Sequence, residues 1–172
     1  MGYNNRTNYL TGNVLSDEWY TPPDIVDKCI SLCDISDKTI ICPYDTDNSN
    51  FVKRIKKIPH KDIIYGINDF INGNYEYDIC ITNPPFSYKR EIFEQCLKNK
   101  KDFILILPET FIFSVGFYNL YKTYDFRYKL YIPKQRIYFI DENGNQNRPN
   151  FHSVIIYVSD TFTENLIYHF EN

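Results

Sequence analysis

The sequence predicts an α/β fold: a three-layer sandwich around a mostly parallel sheet, with an antiparallel pair near the C-terminus. Three observations carry this. Short apolar runs of strand length alternate with segments of helical spacing. The central runs, Ile79-Cys80-Ile81 and Phe103 to Leu107, are apolar at every position, as in strands covered on both faces. Each early strand ends in a segment of special composition, at the edge where ligands of such sheets gather.

The elements follow in order. Thr21-Pro22-Pro23 stops extended chain and starts a helix, with Asp24 near the positive end of its dipole and Ile25, Val26, Cys29, Ile30 and Cys33 at helical spacing. Thr39 to Cys42 is a short apolar strand. A helix over Asn50 to Ile58, capped from Asp47, Asn48 or Ser49, carries basic residues outside. Asp62 to Tyr65 is a second strand, ended by Gly66, and Asp78 to Thr82 a third. Lys89 to Asn99 reads as a helix, Asp102 to Leu107 as a buried strand, Ser114 to Tyr124 as a helix and Lys129 to Ile132 as a strand. Ile137 to Ile140 and Val154 to Val158 are expected to pair antiparallel, and the polar stretch Asp141 to Asn150 reads as a mobile loop between them.

The 172 residues fit a single domain, 1–172, with residues 1–17 as a flexible arm. Hydrophobic content of 43% and charged content of 24% exclude a disordered chain. No apolar run approaches bilayer length, and the Asn-rich start lacks a signal-peptide layout. The five cysteines are odd in number and without zinc spacing, so they read as small buried hydrophobes in a reducing, cytoplasmic setting, with no metal. The absence of alanine beside abundant Ile, Asn, Lys and Tyr suggests an AT-rich coding sequence, as in a low-GC bacterium or its phage.

A net charge of −3 does not announce a nucleic-acid partner. Charge is uneven, however. Lys53, Arg54, Lys56, Lys57 and Lys61 read as a solvated helix face. The later cations interleave with aromatics, a combination that stacks on bases and pairs with phosphates. Residues 127–150 therefore form a candidate nucleic-acid region, with Lys129, Lys134, Arg136, Tyr138 and Arg148 as its contacts; half-buried strand tyrosines are the equally weighted alternative.

The chemistry concentrates in Asn83-Pro84-Pro85-Phe86, directly after a buried strand. Methylating an exocyclic amine requires its lone pair, delocalised into the base, to be turned towards the methyl donor. An Asn side-chain oxygen and a backbone carbonyl each accept one amino hydrogen and do this. Proline has fixed φ and no N–H, which suits Pro84 to present its carbonyl, and Phe86 offers a face to an extruded base. Asn-Pro-Pro is also ordinary turn chemistry and a Phe beside a strand is usually core. Their order after a buried strand favours the catalytic reading of Asn83, Pro84, Pro85 and Phe86.

With that tetrapeptide the chain resembles the N6-adenine-specific DNA methyltransferases, notably small phage-type enzymes and relatives of the EcoRI modification enzyme. The resemblance spans roughly Trp19 to Leu107. It implies a Rossmann-like methyltransferase fold, S-adenosyl-L-methionine as cofactor and DNA as substrate. Tyr20-Thr21-Pro22 matches the family's aromatic-Thr-Pro segment around the methionine part of the cofactor, and Asp69-Phe70 looks like its adenine-lining pair. The resemblance extends cofactor contacts to Pro43, Asp45, Asp47 and Asn68. Two features depart from the family: Cys42 to Phe51 contains no glycine where a glycine-rich turn is expected, and Asn68 stands where an acidic residue follows the second strand. A short chain also leaves little room for target recognition, so residues 127–150, a protein partner or single-stranded substrate must supply it. The alternatives are an RNA or protein amino-methyltransferase, or a catalytically inactive binding module of this fold in phage–host conflict.

Overall fold

Side chains of the central strands alternate between two faces and are buried on both, and helices cover both. The computed structural model describes residues 19–141 and 143–172; the arm expected at residues 1–17 lies outside them. Helix α1 is Pro23–Ile30 and α2 Asn50–Ile55; α3 is Lys89–Asn99, α4 Glu109–Ile112 and α5 Val115–Tyr124. The strands are β1 Thr39–Cys42, β2 Asp62–Tyr65, β3 Ile79–Thr82, β4 Asp102–Pro108, β5 Tyr128–Pro133, β6 Phe139–Ile140, β7 Gln146–Asn147, β8 Ser153–Val158 and β9 Leu166–Phe170.

Among the described residues one seven-stranded sheet has the order β2-β1-β3-β4-β8-β5-β9. All pairs are parallel except those of β8 with β4 and β5. On one face Phe103, Leu105 and Leu107 of β4 meet Ile92, Phe93 and Cys96 of α3 and Phe117 and Leu120 of α5. On the other, Ile104 and Ile106 meet Ile25, Val26 and Cys29 of α1 and Phe51 and Ile55 of α2. The period of two along β4 thus makes three layers. Burial pushes the thiols of Cys29, Cys42 and Cys80 upward, and that of Cys33 to about 11, so these cysteines stay protonated and inert at neutral pH.

Four details differ from expectation. Helix α2 stops at Ile55, and Lys57 and Ile58 continue in tighter turns onto Arg54 and Ile55 carbonyls, because Pro59 forces its predecessor out of helical geometry. The expected pairing of Ile137–Ile140 with Val154–Val158 does not occur. All six residues of β8 are buried, and it enters the sheet between β4 and β5 as a two-sided central strand. Instead β6 pairs with β7, and the polar loop between them turns on Asp141, whose carboxylate accepts from the backbone N–H groups of Asn143 and Asn145. Gly144 completes that turn with φ +82, a left-handed angle that glycine adopts freely. Finally β9, with no alternating apolar pattern, adds in parallel to the edge of β5.

The first three strands fix where a ligand goes. From β1 the chain moves outward to β2 and then returns past β1 to β3, so the strand order reverses between β1 and β3. A crevice opens at the carboxyl ends of strands flanking such a reversal.

Candidate active site

The carboxyl end of β1 carries Pro43, Tyr44 and Asp45. The Asp45 carboxylate is only 9% exposed, and its Oδ2 accepts a 2.7 Å hydrogen bond from Thr82 Oγ1, on the fully buried last residue of β3. Burial pushes the Asp45 carboxyl up to about 6, against the lowering effect of hydrogen bonds from Thr82 and Ser49. Backbone N–H groups of Gly66 and Ile67 donate to the carbonyls of Asp45 (2.9 Å) and Pro43 (2.5 Å), tying the end of β1 to that of β2.

The turn after Asp45 works without glycine. No residue from Pro43 to Asn50 has positive φ; Ser49 Oγ accepts from Thr46 N–H at 3.0 Å, and Ser49 N–H donates to the Thr46 carbonyl at 2.9 Å. A serine–threonine clasp therefore replaces the left-handed backbone that glycine, Asn or Asp would have supplied. Asn50 Nδ2 reaches from the start of α2 to the Thr21 carbonyl at 2.8 Å. Tyr20 exchanges backbone hydrogen bonds of 2.7 and 3.0 Å with Ile140 of β6. These bonds hold Tyr20-Thr21-Pro22 against both the first turn and the β6–β7 hairpin, with Thr21 buried and α1 starting after Pro22.

Asn83 follows Thr82 at the other side of the reversal. Its Oδ1 is buried and accepts no hydrogen bond from the described residues. An unmatched buried acceptor costs on the order of 1–3 kcal/mol, and a donor brought to it recovers that. Pro84 is buried and Pro85 exposed; Phe86 is half-buried, 5.5 Å from the Phe151 ring and 6.3 Å from that of Phe139. Lys89 Nζ donates to the Phe86 carbonyl at 2.9 Å, fixing the entry to α3.

Two further unmatched atoms lie at the same edge. Glu109 begins α4 directly after β4, its N–H bound to the His152 carbonyl at 2.9 Å, and its Oε2 is buried without a partner. Ser153 Oγ, opposite Pro108 in the register, is likewise unmatched. Trp19 Nε1, against the α1 face of the core, is a fourth. None of the sequence-based expectations above gave a role to Glu109, Trp19, Phe151 or Ser153.

The remaining sequence candidates divide. Asp47 is exposed and held by Lys56 Nζ and Tyr65 Oη, both 2.8 Å away, which lower its carboxyl below the usual range. Asn68 is exposed, and Asp69 accepts from the Asn72 side chain at 2.9 Å. Phe70 is fully buried beside Tyr75 and Tyr77, which makes it core. Of the nucleic-acid candidates, the structure gathers three at the β6–β7 hairpin: Arg136 donates to the Pro149 carbonyl, and Arg148 lies 5.4 Å from the Tyr138 ring centre. Lys134 is paired with Glu171 at 2.9 Å. Lys129 stands near the start of β5 with its ammonium 4.3 Å from the Phe162 ring centre, towards the opposite edge. The early basic cluster is partly consumed by Arg54–Asp27 and Lys56–Asp47 pairs on the outer face. Among the described residues no group of three His, Cys, Asp or Glu is placed to hold a metal, and no helix is long and apolar enough to cross a membrane.

No family model and no curated protein sequence matches the chain. Solved structures do. The chain is similar to a proposed RNA methyltransferase from Pyrococcus horikoshii, with 16% identity, a TM-score of 0.62 and 94% of each chain covered. It is similar to a proposed class I S-adenosylmethionine-dependent methyltransferase from Listeria monocytogenes, with 10% identity and a TM-score of 0.60 over 97% of this chain and 68% of that one. A dimethyladenosine transferase from Plasmodium falciparum matches at 16% identity and a TM-score of 0.51, over 81% of this chain and 62% of that one. The sheet, its helices and its topological reversal are thus those of the Rossmann-like class I methyltransferase fold.

Proposed function

We propose that this chain is an S-adenosyl-L-methionine-dependent methyltransferase acting on the N6 amino group of adenine in DNA. The observation that carries the reading is the unmatched Asn83 Oδ1 at the carboxyl end of β3, beside the strand-order reversal. An acceptor in that position takes one amino hydrogen, the Pro84 carbonyl takes the other, and the nitrogen lone pair is freed towards the donor. Phe86 then offers a ring to the base, and Phe139 and Phe151 hold that ring in place.

The residues present fit the cofactor. Asp45 supplies a buried carboxylate for ribose hydroxyls or an ammonium group, and Tyr20-Thr21-Pro22 is pinned beside it through Asn50. S-adenosyl-L-methionine, when bound, supplies an electrophilic methyl group. Asn83 and Pro84 orient the acceptor nitrogen, and Thr82 keeps the Asp45 carboxylate aimed. Asp47, Asn68, Asp69 and Phe70 contribute less to this reading, because their side chains are engaged elsewhere, exposed or in the core.

RNA is the second reading. It is favoured by the fold neighbours named for RNA and dimethyladenosine transfer. The deciding experiment offers labelled S-adenosyl-L-methionine with matched adenine-containing DNA and RNA oligonucleotides, followed by nucleoside analysis. N6-methyladenine from DNA supports the primary reading and methylated RNA the second. No transfer to either, with no cofactor binding at millimolar ligand, leaves the fold as a binding module.

A further inference from the structure

Four of the six large apolar side chains that stand exposed among the described residues lie in the two segments that leave the candidate active site: Tyr88 (38%), Phe113 (83%), Val115 (75%) and Tyr118 (60%). Tyr88 comes two residues after Phe86, at the head of α3. Phe113 comes four residues after Glu109, between α4 and α5. The segments meet in space: a Cβ added to Gly116 would lie 3.7 Å from Arg90 Cδ, so the Arg90 side chain rests against the start of α5. From Phe113 a shallow groove of about 400 Å³ runs past Tyr118, Tyr121 and Tyr128 to Asn165. It begins at the carboxyl end of β4 and descends to the start of β5, leading away from the catalytic edge along the outside of the sheet.

Exposed apolar area of this kind costs solubility and marks a contact surface. Its charge identifies the partner. Arg90 is exposed at the head of the groove, and Lys122 is exposed on α5, four residues after Tyr118 and so on the same helical face. Neither cation has an ion pair among the described residues. Rings for stacking, interspersed with free cations along one track, are the features that hold an unpaired nucleic-acid strand. Resting on the reading of Asn83 to Phe86 as an amine-methylating site, we infer that the groove from Phe113 past Tyr118, with Arg90 at its head, grips the single-stranded nucleotides flanking the target base. The β6–β7 hairpin, with Arg136, Tyr138 and Arg148, meets Phe86 through Phe139 on the sheet face opposite the groove, so the two surfaces bracket the extruded base.

The test is fluorescence anisotropy with a labelled, adenine-containing single strand of about 12 nucleotides, within the site sizes of such proteins. A duplex of the same sequence and S-adenosyl-L-methionine titrations serve as controls. Replacing Phe113 and Tyr118 together by Ala is expected to weaken single-strand binding at least about tenfold, since each stacked base is worth roughly 1–3 kcal/mol. Both side chains are exposed, so the fold and cofactor affinity stay unchanged. Arg90→Ala is expected to reduce the slope of log affinity against log salt by about 0.7, the loss of one phosphate contact on a single strand. Unchanged single-strand affinity in the double variant, while the wild type binds, overturns the groove and leaves the active-site reading intact. Failure of the wild type to bind any oligonucleotide, with cofactor still bound, overturns the nucleic-acid reading itself. A wild-type dimer that the double variant abolishes shows a second copy as occupant and also overturns the proposal.

Discussion

Thr82 Oγ1 and Asp45 Oδ2 stand 2.7 Å apart and join the carboxyl ends of β3 and β1 across the strand-order reversal. Both residues are buried, and the bond joins the proposed cofactor and amine halves of the candidate site.

Asp45→Asn keeps an acceptor for Thr82 and removes a buried charge. The folded carboxyl titrates at about 6 against an ordinary 3.8, so its ionisation works against folding. That cost is absent below the ordinary value, grows as pH rises between the two, and is complete above about 6. It reaches about 3 kcal/mol. The variant is therefore expected to be more stable than wild type in urea near pH 8, with the gap shrinking to a few tenths of a kcal/mol near pH 4. Cofactor affinity should move the opposite way, falling in the variant and losing the wild type's rise between about pH 5 and 7.

Thr82→Val removes the donor and preserves the shape. Asp45 then lacks its principal partner, and unfolding free energy at neutral pH is expected to drop by about 1–3 kcal/mol. Thr82→Ser should restore most of it, and Thr82→Val should recover at acid pH, where the carboxyl is neutral.

Phe86→Ala leaves Phe139 and Phe151 without the ring between them and takes away the proposed base platform. The Michaelis constant for oligonucleotide is expected to rise about tenfold, with cofactor affinity unchanged; Phe86→Trp should retain substrate binding. Equal losses for cofactor and substrate would instead indicate a general collapse of the edge.

Asn50→Ala cuts the 2.8 Å tie between the first turn and Thr21. One such hydrogen bond is worth about 1 kcal/mol. Isothermal titration should show cofactor bound roughly fivefold more weakly, while methyl transfer at saturating cofactor keeps its rate.

Local pattern made the first two-thirds of the fold legible. The apolar runs ending at Cys42, Tyr65, Thr82 and Pro108 each specify a strand, and Lys89 to Asn99 has helical spacing and an αL end at Lys100. Past Pro133 the pattern misleads, because pairing there is set by tertiary competition. Val154 to Val158 is buried on both faces and takes the central slot, leaving Phe139–Ile140 to pair with two polar residues and with Tyr20. Leu166–Phe170 joins an edge, where burial imposes no alternation. At the candidate site, Asn83 to Phe86 stands out in the sequence because its proposed chemistry is contiguous. The Ser49–Thr46 clasp and the Glu109 and Ser153 atoms do not, because they acquire meaning only when segments far apart in sequence meet.

The proposed role of Asn83 is to orient an amine for methylation. Its most direct test is single-turnover transfer of labelled methyl from S-adenosyl-L-methionine to adenine-containing DNA by wild type and Asn83→Ala, both preloaded with cofactor. Transfer by the wild type, with a loss of at least about a hundredfold in the variant and no change in cofactor affinity or unfolding midpoint, is the expected result. Equal rates in the two proteins would contradict the account.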